Sequence, residues 1–323
     1  MNKDDFIFSL AGLREYLIQQ GYEIEKLNLP KTQGPNSFSL LIPKYYVNLI
    51  NWNNTHDPLK KMVLYNNLEN VTKEYELQDP IDDALNSPVP GIIHRHKNRC
   101  LLMLISSCAI HCRFCFRKNL LKNNTVHLEQ CLNYISTHNE IWEVIFSGGD
   151  PFMLADHFLN EVLQRIKKID HVKMIRFHSR VPVVYPRRIS ESFISLLNKA
   201  TPSTIALHIN HPREITEEFR STIKNLRNGN HLLLSQSVLL KDVNDNGETL
   251  TSLFTHLLEI GIKPYYLHHL DKTAGTDHFR VSIDDGKKLM LQLREQLSGT
   301  CLPTYVIDIP TKGGKISINE FSE

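Results

Sequence analysis

Residues 100–115, with the sequence CLLMLISSCAIHCRFC, join a short apolar run to three closely spaced cysteines. The apolar run, residues 100–105, has the length and composition of a buried strand. Cys108, Cys112 and Cys115 follow it directly, and in α/β folds the chemistry collects at the carboxyl ends of the strands. The segment therefore predicts a strand that carries a thiol-rich loop to the functional end of such a fold.

The spacing Cys-x3-Cys-x2-Cys suits a single metal centre, and two kinds of centre remain open. A structural zinc site needs a fourth ligand, such as His111 or a distant cysteine, and only one Cys-x2-Cys pair is present. An iron–sulfur cluster on three thiolates keeps one iron open to a substrate or cofactor, and Phe114 suits the shielding of such a cluster from water. The other cysteines, Cys100, Cys131 and Cys301, are expected to be buried small hydrophobes.

From this segment onward, short apolar runs alternate with longer amphipathic ones. Strands are predicted at residues 100–105, 143–147, 173–178, 204–209, 232–240, 264–269 and 304–309. Helices are predicted at residues 128–137, 155–168, 189–199, 214–228, 247–261 and 283–297. Such alternation indicates parallel strands with right-handed crossovers, hence a closed or partial barrel or an open doubly wound sheet.

The first ninety or so residues differ from this pattern. Helical periodicity is found at residues 6–20, 45–52 and 58–68, and a proline-containing stretch follows at 79–90. We therefore predict a helical N-terminal appendage, residues 1–93, followed by a core domain, residues 94–323.

Composition narrows the functional classes. The chain has 323 residues, 41% of them hydrophobic, and 37 Lys and Arg against 35 Asp and Glu. A charge so close to balance argues against a dedicated nucleic-acid or membrane-surface binder. The sequence contains no long apolar stretch and no secretory leader pattern, so we expect a cytoplasmic protein without a membrane partner. Clustered cysteines in that compartment favour metal ligation over disulfides.

Two further motifs follow predicted strands. Ser147, Gly148, Gly149 and Asp150 come after the second strand, where a glycine pair lets the backbone approach a ligand or simply forms a turn. Lys315 lies on a glycine-rich loop after the last strand. A lysine there can form a Schiff base if its surroundings lower its pKa, although such a loop is more often a solvated turn.

The cysteine motif, with its aromatic residue before the third cysteine, resembles the signature of the radical S-adenosylmethionine (SAM) superfamily. Together with the segments at 147–150, 179–184 (SRVPVV), 210–214 (NHPRE) and 308–310 (DIP), the chain resembles the lysine 2,3-aminomutase family of those enzymes over roughly residues 79–316. The resemblance implies a partial (β/α)6-type radical SAM barrel. It also implies an isomerase that converts L-α-lysine to β-lysine with a [4Fe-4S] cluster, SAM and pyridoxal phosphate.

The resemblance also assigns residues to the cofactors. The cluster ligands implied are Cys108, Cys112 and Cys115. The SAM contacts implied are Ser147, Gly148, Gly149, Asp150, Arg180 and Gln236. Lys315 corresponds to the lysine that binds pyridoxal phosphate covalently, whereas Lys312 stands where the family has glycine. Arg95 and Arg99 are the implied partners of pyridoxal phosphate.

Three more residues are implied to bind the substrate. Arg117 corresponds to the residue that binds the substrate carboxylate, a task suited to a planar bidentate donor. Asp271 and Asp308 match two carboxylates that hold the distal ammonium of lysine. Such a pair selects a basic side chain, because a substrate without the ammonium leaves two like charges desolvated.

The chain stops eight residues after Lys315 and thus resembles the short, bacterial form of the family. That branch prepares β-lysine for attachment to translation elongation factor P by a separate lysyl-transferring enzyme. The resemblance also implies an external electron donor such as flavodoxin or ferredoxin. Two alternatives stay open: an aminomutase for another amino acid, such as glutamate, ornithine or arginine, and a non-catalytic iron–sulfur redox module.

Overall fold

In the computed structural model of the protein, which describes residues 2–32, 34, 38–120, 126–200, 202–310 and 313–321, strands and helices alternate through most of the chain. The strands are β1 (Phe6–Ile7), β2 (Ile42–Pro43), β3 (Ile92–His96), β4 (Arg99–Leu102), β5 (Glu143–Phe146), β6 (Met174–Ser179), β7 (Ser203–His208), β8 (His231–Val238), β9 (Lys263–His268), β10 (Thr304–Ile309) and β11 (Gly314–Ser317). The helices are α1 (Leu10–Gln19), α2 (Lys44–Val47), α3 (Pro58–Val63), α4 (Leu128–Thr137), α5 (Asp156–Ile166), α6 (Val181–Val184), α7 (Glu191–Asn198), α8 (Glu217–Arg227), α9 (Gly247–Glu259) and α10 (Ile283–Gln296).

Nine strands form one sheet in the order β11-β10-β9-β8-β7-β6-β5-β4-β3. From β4 to β10 each strand runs parallel to the next, with Val144 beside Ile175 and Phe177 beside Ile205. The edge strands β3 and β11 are antiparallel additions. All seven predicted strands and all six predicted core helices are confirmed. The sheet is a nearly closed barrel, which confirms the expected fold class and rules out an open doubly wound sheet.

Side chains, not a backbone ladder, bring the two edges of the sheet together. Arg95 on β3 donates from Nη2 to both carboxylate oxygens of Asp308 on β10, at 2.8 and 3.0 Å. Gly314 at the start of β11 has a φ of +112°, and a Cβ there would lie 2.9 Å from the Arg95 Nη2 atom and from the His96 ring. This close approach therefore depends on glycine. We call Arg95, Asp308 and Lys315 the barrel seam.

Polar caps explain where the crossover helices begin. Ser190, Thr216, Asn246 and Ser282 each accept a hydrogen bond from a backbone N–H three residues later, at 2.9–3.2 Å. The predicted start of α8 at residue 214 is therefore wrong, because Thr216 caps that helix and a separate 3₁₀ turn spans Pro212–Glu214. The longest described helix, α10, has 14 residues, and within the described ranges none is long and apolar enough to cross a bilayer.

The N-terminal segment packs onto the barrel and shares its hydrophobic core. It is not wholly helical, because Phe6–Ile7 pairs with Ile42–Pro43 as a two-stranded ribbon and α1 starts only after the Ser9 cap. Tyr46 and Trp52 are almost fully buried against the rest of the protein. The division into an appendage and a core at residue 93 stays a prediction, and that boundary falls inside β3.

Candidate active site

The three predicted thiols lie together in the loop that leaves β4, residues 107–115, which we call the cysteine loop. Burial raises the pKa of Cys108, Cys112 and Cys115, and the charge of one thiolate raises the pKa of its neighbours. This mutual influence shows that the sulfur atoms are close. Thiols with raised pKa values keep their protons until a metal displaces them, so metal loading here releases protons.

The donor set and its surroundings fit an iron–sulfur cluster. Ala109, Ile110 and Phe114 are buried apolar residues of the same loop, between the cysteines. His111, the fourth ligand of the zinc alternative, instead faces the N-terminal segment, where its Nδ1 lies 2.6 Å from the Ser39 carbonyl oxygen. Among the described residues, no three Cys, His, Asp or Glu side chains form a group suited to a single ion. Three soft, shielded thiols without a fourth protein ligand favour a cluster with one open iron.

The glycine pair after β5 packs directly on the backbone of the cysteine loop. Gly149 donates from its backbone N–H to the Ile105 carbonyl at 2.8 Å, and a Cβ at Gly149 would overlap the Ser107 carbonyl. Gly148 has a φ of +104°. The glycines therefore allow a close approach between two backbone segments of the protein, and their predicted contact with a ligand, SAM, stays a prediction.

Asp150 ties the loop after β5 to the loop after β6. Its Oδ1 accepts from Phe152 N and Ser179 Oγ, at 3.1 and 2.8 Å, and its Oδ2 accepts from Arg180 N and Val181 N, at 2.7 and 3.1 Å. Four donors saturate the carboxylate. The side chain is thus engaged within the protein, and the cofactor contact predicted for Asp150 stays a prediction.

The two other residues assigned to SAM lie just after β6 and on β8, and these strands are separated in the sheet by β7. Arg180 follows β6, and its Nη1 lies 2.7 Å from the sulfur of Cys112. Gln236 is on β8 beside Tyr266, at an irregularity in the register of β8 and β9. Arg180 therefore adjoins the thiols directly, while the cofactor contact of Gln236 remains a prediction.

Lys315 lies on β11, an edge strand of the sheet. It is the cross-strand partner of Asp308 in the β10–β11 hairpin, which places both side chains on one face. The Lys315 Nζ atom is 3.5 Å from Asp308 Oδ2, and 36% of the lysine side chain stays accessible. Burial lowers the pKa of Lys315 although two nearby carboxylates raise it. Lys312, the neighbouring lysine, lies outside the described residues.

Asp271, beyond the end of β9, is the second of those carboxylates. Burial raises its pKa to about 7, and the charge of Asp308 contributes in the same direction. Lys315 opposes this shift, which shows that the three groups lie within electrostatic reach of one another. The structure therefore brings Asp271 close to Asp308 and Lys315, which follow it in the sequence by 37 and 44 residues.

Arg117 connects the two halves of the site. It is buried, donates from Nε to Asp83 Oδ2 at 2.7 Å and from Nη1 to Ser147 Oγ at 3.2 Å. The charges of Cys115 and Asp271 both raise its pKa. Sequence reasoning missed Asp83, whose position after the Asp79 turn carries no recognisable motif. Asp83 thus fixes the position of the Arg117 side chain, which lies within electrostatic reach of both Cys115 and Asp271.

Arg95 and Arg99 occupy different surroundings. Arg95 is engaged with Asp308 at the barrel seam and donates from Nη1 to the Ile81 carbonyl at 3.0 Å. Arg99 donates from Nη1 to Asn98 Oδ1 at 3.0 Å. Burial, together with the charges of Arg99 and Arg95, lowers the pKa of His96 to about 4. The predicted contact of both arginines with pyridoxal phosphate stays untested, and Arg99 is the less engaged of the two.

Three histidines in the barrel were missed. His178, His208 and His268 each occupy the last or next-to-last position of their strand, a signal that the sequence contained. Burial lowers the pKa of all three, that of His208 to about 3, and the charge of Lys315 contributes for His178 and His268. Neutral imidazoles therefore line the interior next to the lysine.

Comparisons with known proteins agree with this geometry. The sequence profile of the radical SAM superfamily matches residues 102–247. L-lysine 2,3-aminomutase of Escherichia coli (strain K12) is 36% identical over 327 residues, which cover 98% of this chain and 95% of the relative. The Haemophilus influenzae L-lysine 2,3-aminomutase is 38% identical over 303 residues, covering 90% of each. A radical SAM methyltransferase from Sphaerobacter thermophilus shares the fold alone, with a TM-score of 0.50 and 15% identity over 67% of this chain and 68% of that one.

The nearly closed parallel barrel and its three-cysteine loop define a radical SAM protein, a class that implies a [4Fe-4S] cluster and SAM. Within that class, the chain belongs to the L-lysine 2,3-aminomutase family.

Proposed function

We propose that this protein is an isomerase that moves the amino group of L-α-lysine from C2 to C3 and releases β-lysine. The observation that carries this proposal is the arrangement of charges across one barrel mouth. The charges of Cys115 and Asp271 both raise the pKa of Arg117. The Lys315 Nζ atom lies 3.5 Å from Asp308 Oδ2, and its charge acts on Asp271. The site therefore offers one cation, Arg117, to a carboxylate. It offers two anions, Asp271 and Asp308, to an ammonium, and it adds the amine of Lys315.

The residues at that mouth have distinct roles in the proposal. Arg117, held by Asp83, binds the substrate carboxylate and fixes the amino acid near the cysteine loop. Asp271 and Asp308 bind the distal ammonium, which also pairs two carboxylates that otherwise repel each other. This grip favours a basic side chain of the length of lysine.

The surroundings of Lys315 fit pyridoxal phosphate. Part of its side chain is accessible, burial lowers the pKa of its amine, and Gly313 and Gly314 precede it with positive φ values. Lys315 would hold the group covalently, with Arg95 and Arg99 as the proposed partners of its phosphate. When bound, pyridoxal phosphate supplies a π-system that stabilises an unpaired electron beside the migrating nitrogen. The neutral histidines and the apolar barrel wall keep water from the reacting carbon.

On the other side, Cys108, Cys112 and Cys115 would hold the [4Fe-4S] cluster. Its open iron would take SAM, with the backbone at Gly148 and Gly149 and the side chains of Arg180 and Gln236 as the proposed contacts. When bound and reduced, this pair supplies the radical that abstracts an unactivated hydrogen. The protein contributes position and the exclusion of water.

An anaerobic assay tests the proposal. Protein reconstituted with iron and sulfide is mixed with dithionite, SAM, pyridoxal phosphate and L-lysine, and the products are separated by chromatography and identified by mass. We expect β-lysine, and no β-lysine when either SAM or pyridoxal phosphate is omitted. The control Lys288→Arg, on the exposed side of α10, should retain full turnover.

The same assay distinguishes the alternatives. Glutamate, ornithine and arginine are supplied singly in place of lysine, and turnover of one of them at a rate above that of lysine would overturn the substrate assignment. Protein that holds iron and sulfide but neither cleaves SAM nor shows the absorbance of a lysine-bound pyridoxal group would instead be a non-catalytic redox module. A full fourth thiolate or bound zinc at the cysteine loop would exclude the radical reaction.

We further propose that the product serves translation elongation factor P in the cytoplasm, through a separate lysyl-transferring enzyme, and that a flavodoxin or ferredoxin supplies electrons. The relationship to the short bacterial relatives supports this proposal. In the test, the purified product and its α-lysine precursor are offered in equal amounts to such a transferring enzyme with elongation factor P. Preferential attachment of the product, seen as a mass increase, is the expected result, and preference for α-lysine would contradict it.

A further inference from the structure

One guanidinium group touches the cysteine loop from outside it. Arg180, with 5% of its surface exposed, extends from the end of β6 so that its Nη1 lies 2.7 Å from the Cys112 sulfur. Its Nη2 lies 2.7 Å from Glu214 Oε1. The guanidinium is therefore fixed at two of its three nitrogens, one on a cluster ligand and one on a buried carboxylate. Among the described residues, its Nε has no hydrogen-bond partner.

Glu214 is built to hold that guanidinium in place. Its carboxylate is completely buried, and Oε2 accepts from the backbone N–H groups of Asn210 and His211, at 2.7 and 3.0 Å. Its Oε1 accepts from Tyr46 Oη at 3.0 Å as well as from Arg180. Burial raises the pKa of Glu214, but Arg180 and the hydrogen bonds outweigh burial and keep the carboxyl ionised. The hydrogen bonds from Asn210, His211 and Tyr46 offset part of the cost of burying this ion pair.

The Arg180 guanidinium lies nearer to the Cys112 sulfur than the Glu214 carboxylate does, so the electrostatic potential at the sulfur is positive. The positive guanidinium contacts the Cys112 sulfur, and the negative carboxylate lies behind it. Tyr46 and Phe114 cover the guanidinium with their rings, at 5.8 and 5.5 Å from the ring centres, so little water screens it. A hydrogen bond and a positive charge at a ligating sulfur stabilise the more negative oxidation state of a cluster. The relevant step is the uptake of one electron from the external donor, which makes the cluster more negative by one charge.

We propose that Arg180 raises the reduction potential of the iron–sulfur cluster through Cys112, and that Glu214 is the positioning residue that keeps Arg180 in contact with the sulfur. Tyr46, from the N-terminal segment, supports Glu214. The proposal rests on the cluster of the proposed function but not on its substrate. It gives the NHPRE segment and helix α2 a role in electron uptake, although neither contributes a ligand.

The test measures the midpoint potential of the reconstituted cluster without SAM, from the EPR signal of the reduced form at a series of poised potentials. We expect Arg180→Gln to lower the equilibrium constant for reduction by about tenfold, equivalent to about 59 mV for one electron. Arg180→Lys keeps the charge and should lower it less. Glu214→Gln should also lower the potential, because a freed guanidinium leaves the sulfur, and Tyr46→Phe should do so least.

Two comparisons separate positioning from other roles. In the double variant Arg180→Gln with Glu214→Gln, the potential should equal that of Arg180→Gln alone, because Glu214 acts only through Arg180. The control Glu218→Gln, a partly exposed residue on the neighbouring helix α8, should match the unmodified protein. Additive shifts, or a potential that rises in Glu214→Gln, would overturn the proposal, because the carboxylate would then act through its own charge.

A contact with SAM alone is also distinguishable. If Arg180 served only the cofactor, Arg180→Gln would leave the potential unchanged without SAM, and this result would overturn the proposal. Iron and sulfide analysis of every variant checks that a cluster is present. If Arg180→Gln binds no cluster, the midpoint potentials of Glu214→Gln and Tyr46→Phe provide the test. Unchanged potentials in both variants would reject the proposal. Absence of a cluster in the unmodified protein would instead refute the proposed function.

Discussion

The cysteine loop and the barrel seam belong to the same barrel but are built in opposite ways. The loop takes its three thiols from eight consecutive positions, 108–115. The seam joins Arg95 to Asp308, which are 213 residues apart, and adds Lys315. The cysteine loop is a local motif at the end of a strand. The barrel seam forms only because the sheet curves until its two edges approach each other.

Their electrostatics differ as well. At the cysteine loop, burial keeps neutral thiols protonated, and the nearby charges of Arg180 and Glu214 already balance. Near the barrel seam, Asp271 and Asp308 repel each other electrostatically, and burial disfavours the charged form of Lys315. The first region is arranged to receive a metal centre and the second to receive charged organic groups. Four predictions test this contrast, from the largest expected effect to the smallest.

The largest effect is expected at the loop itself. Cys108→Ser should abolish cluster binding and turnover, because a serine hydroxyl is a poor ligand for iron and two thiolates do not hold the cube. Iron and sulfide content and anaerobic product formation are the measurements. Cys301→Ser, a buried cysteine elsewhere in the chain, should keep both. If the two variants behaved alike, the loop would not be the metal centre.

At the seam, Lys315→Arg should lower turnover by roughly 10³-fold or more, because an arginine keeps the charge but cannot form the covalent link. The pyridoxal absorbance of the bound form should disappear while the iron content stays normal, which separates the two regions. Retention of the absorbance would assign the link to another lysine, with Lys312 the first to examine by Lys312→Arg.

An intermediate effect concerns pH. Because the pKa of Asp271 is raised to about 7, a fall from pH 8 to pH 6 protonates most of this group and should weaken lysine binding by about tenfold. In Asp271→Asn the binding should be weaker at pH 8 and lose that part of the pH dependence. Calorimetric titration of lysine at both pH values measures it. Asp170→Asn, at the opposite end of the barrel, should titrate like the unmodified protein.

The smallest effect is on stability. Arg95→Gln removes the bidentate contact with Asp308 that links the two edges, and should lower the free energy of unfolding by about 2 kcal/mol. Denaturant unfolding of the protein without cofactors is the measurement, so that a loss of pyridoxal binding cannot contribute. Arg99→Gln should change stability little. An unchanged midpoint for Arg95→Gln would mean that Arg95 is free to bind a phosphate instead.

Much of the fold could be predicted because its signals are local. Each barrel strand is a short apolar run and each crossover helix an amphipathic one, so period and length alone located them. The strands β1, β2, β3 and β11 were missed, since β1 and β2 have only two residues each and β3 and β11 mix apolar residues with polar or basic ones. The start of α8 was misplaced because the acidic residue Glu214, a good helix former, belongs to a turn that holds Arg180.

The candidate site divides along the same line. The three cysteines and the glycine pair were proposed from spacing and residue type, and the resemblance to a known family supplied the other proposed site residues. The partners that hold those residues, Asp83 on Arg117 and Glu214 on Arg180, were not found by either route. No sequence motif indicates that Asp83 or Glu214 holds an arginine, because this role depends on which side chain the fold places opposite each carboxylate.

The sequence by itself therefore determined the strand and helix order, the three thiols at the end of β4 and the class of chemistry that such thiols support. These features depend on neighbours within a few residues, where covalent geometry leaves few choices. Tertiary structure alone decided that Asp308 faces both Arg95 and Lys315, that Asp271 is pressed to a pKa of about 7, and that one guanidinium reaches Cys112. Those contacts form only when a curved sheet buries charges from distant segments together, and burial is a property that no short stretch of sequence carries.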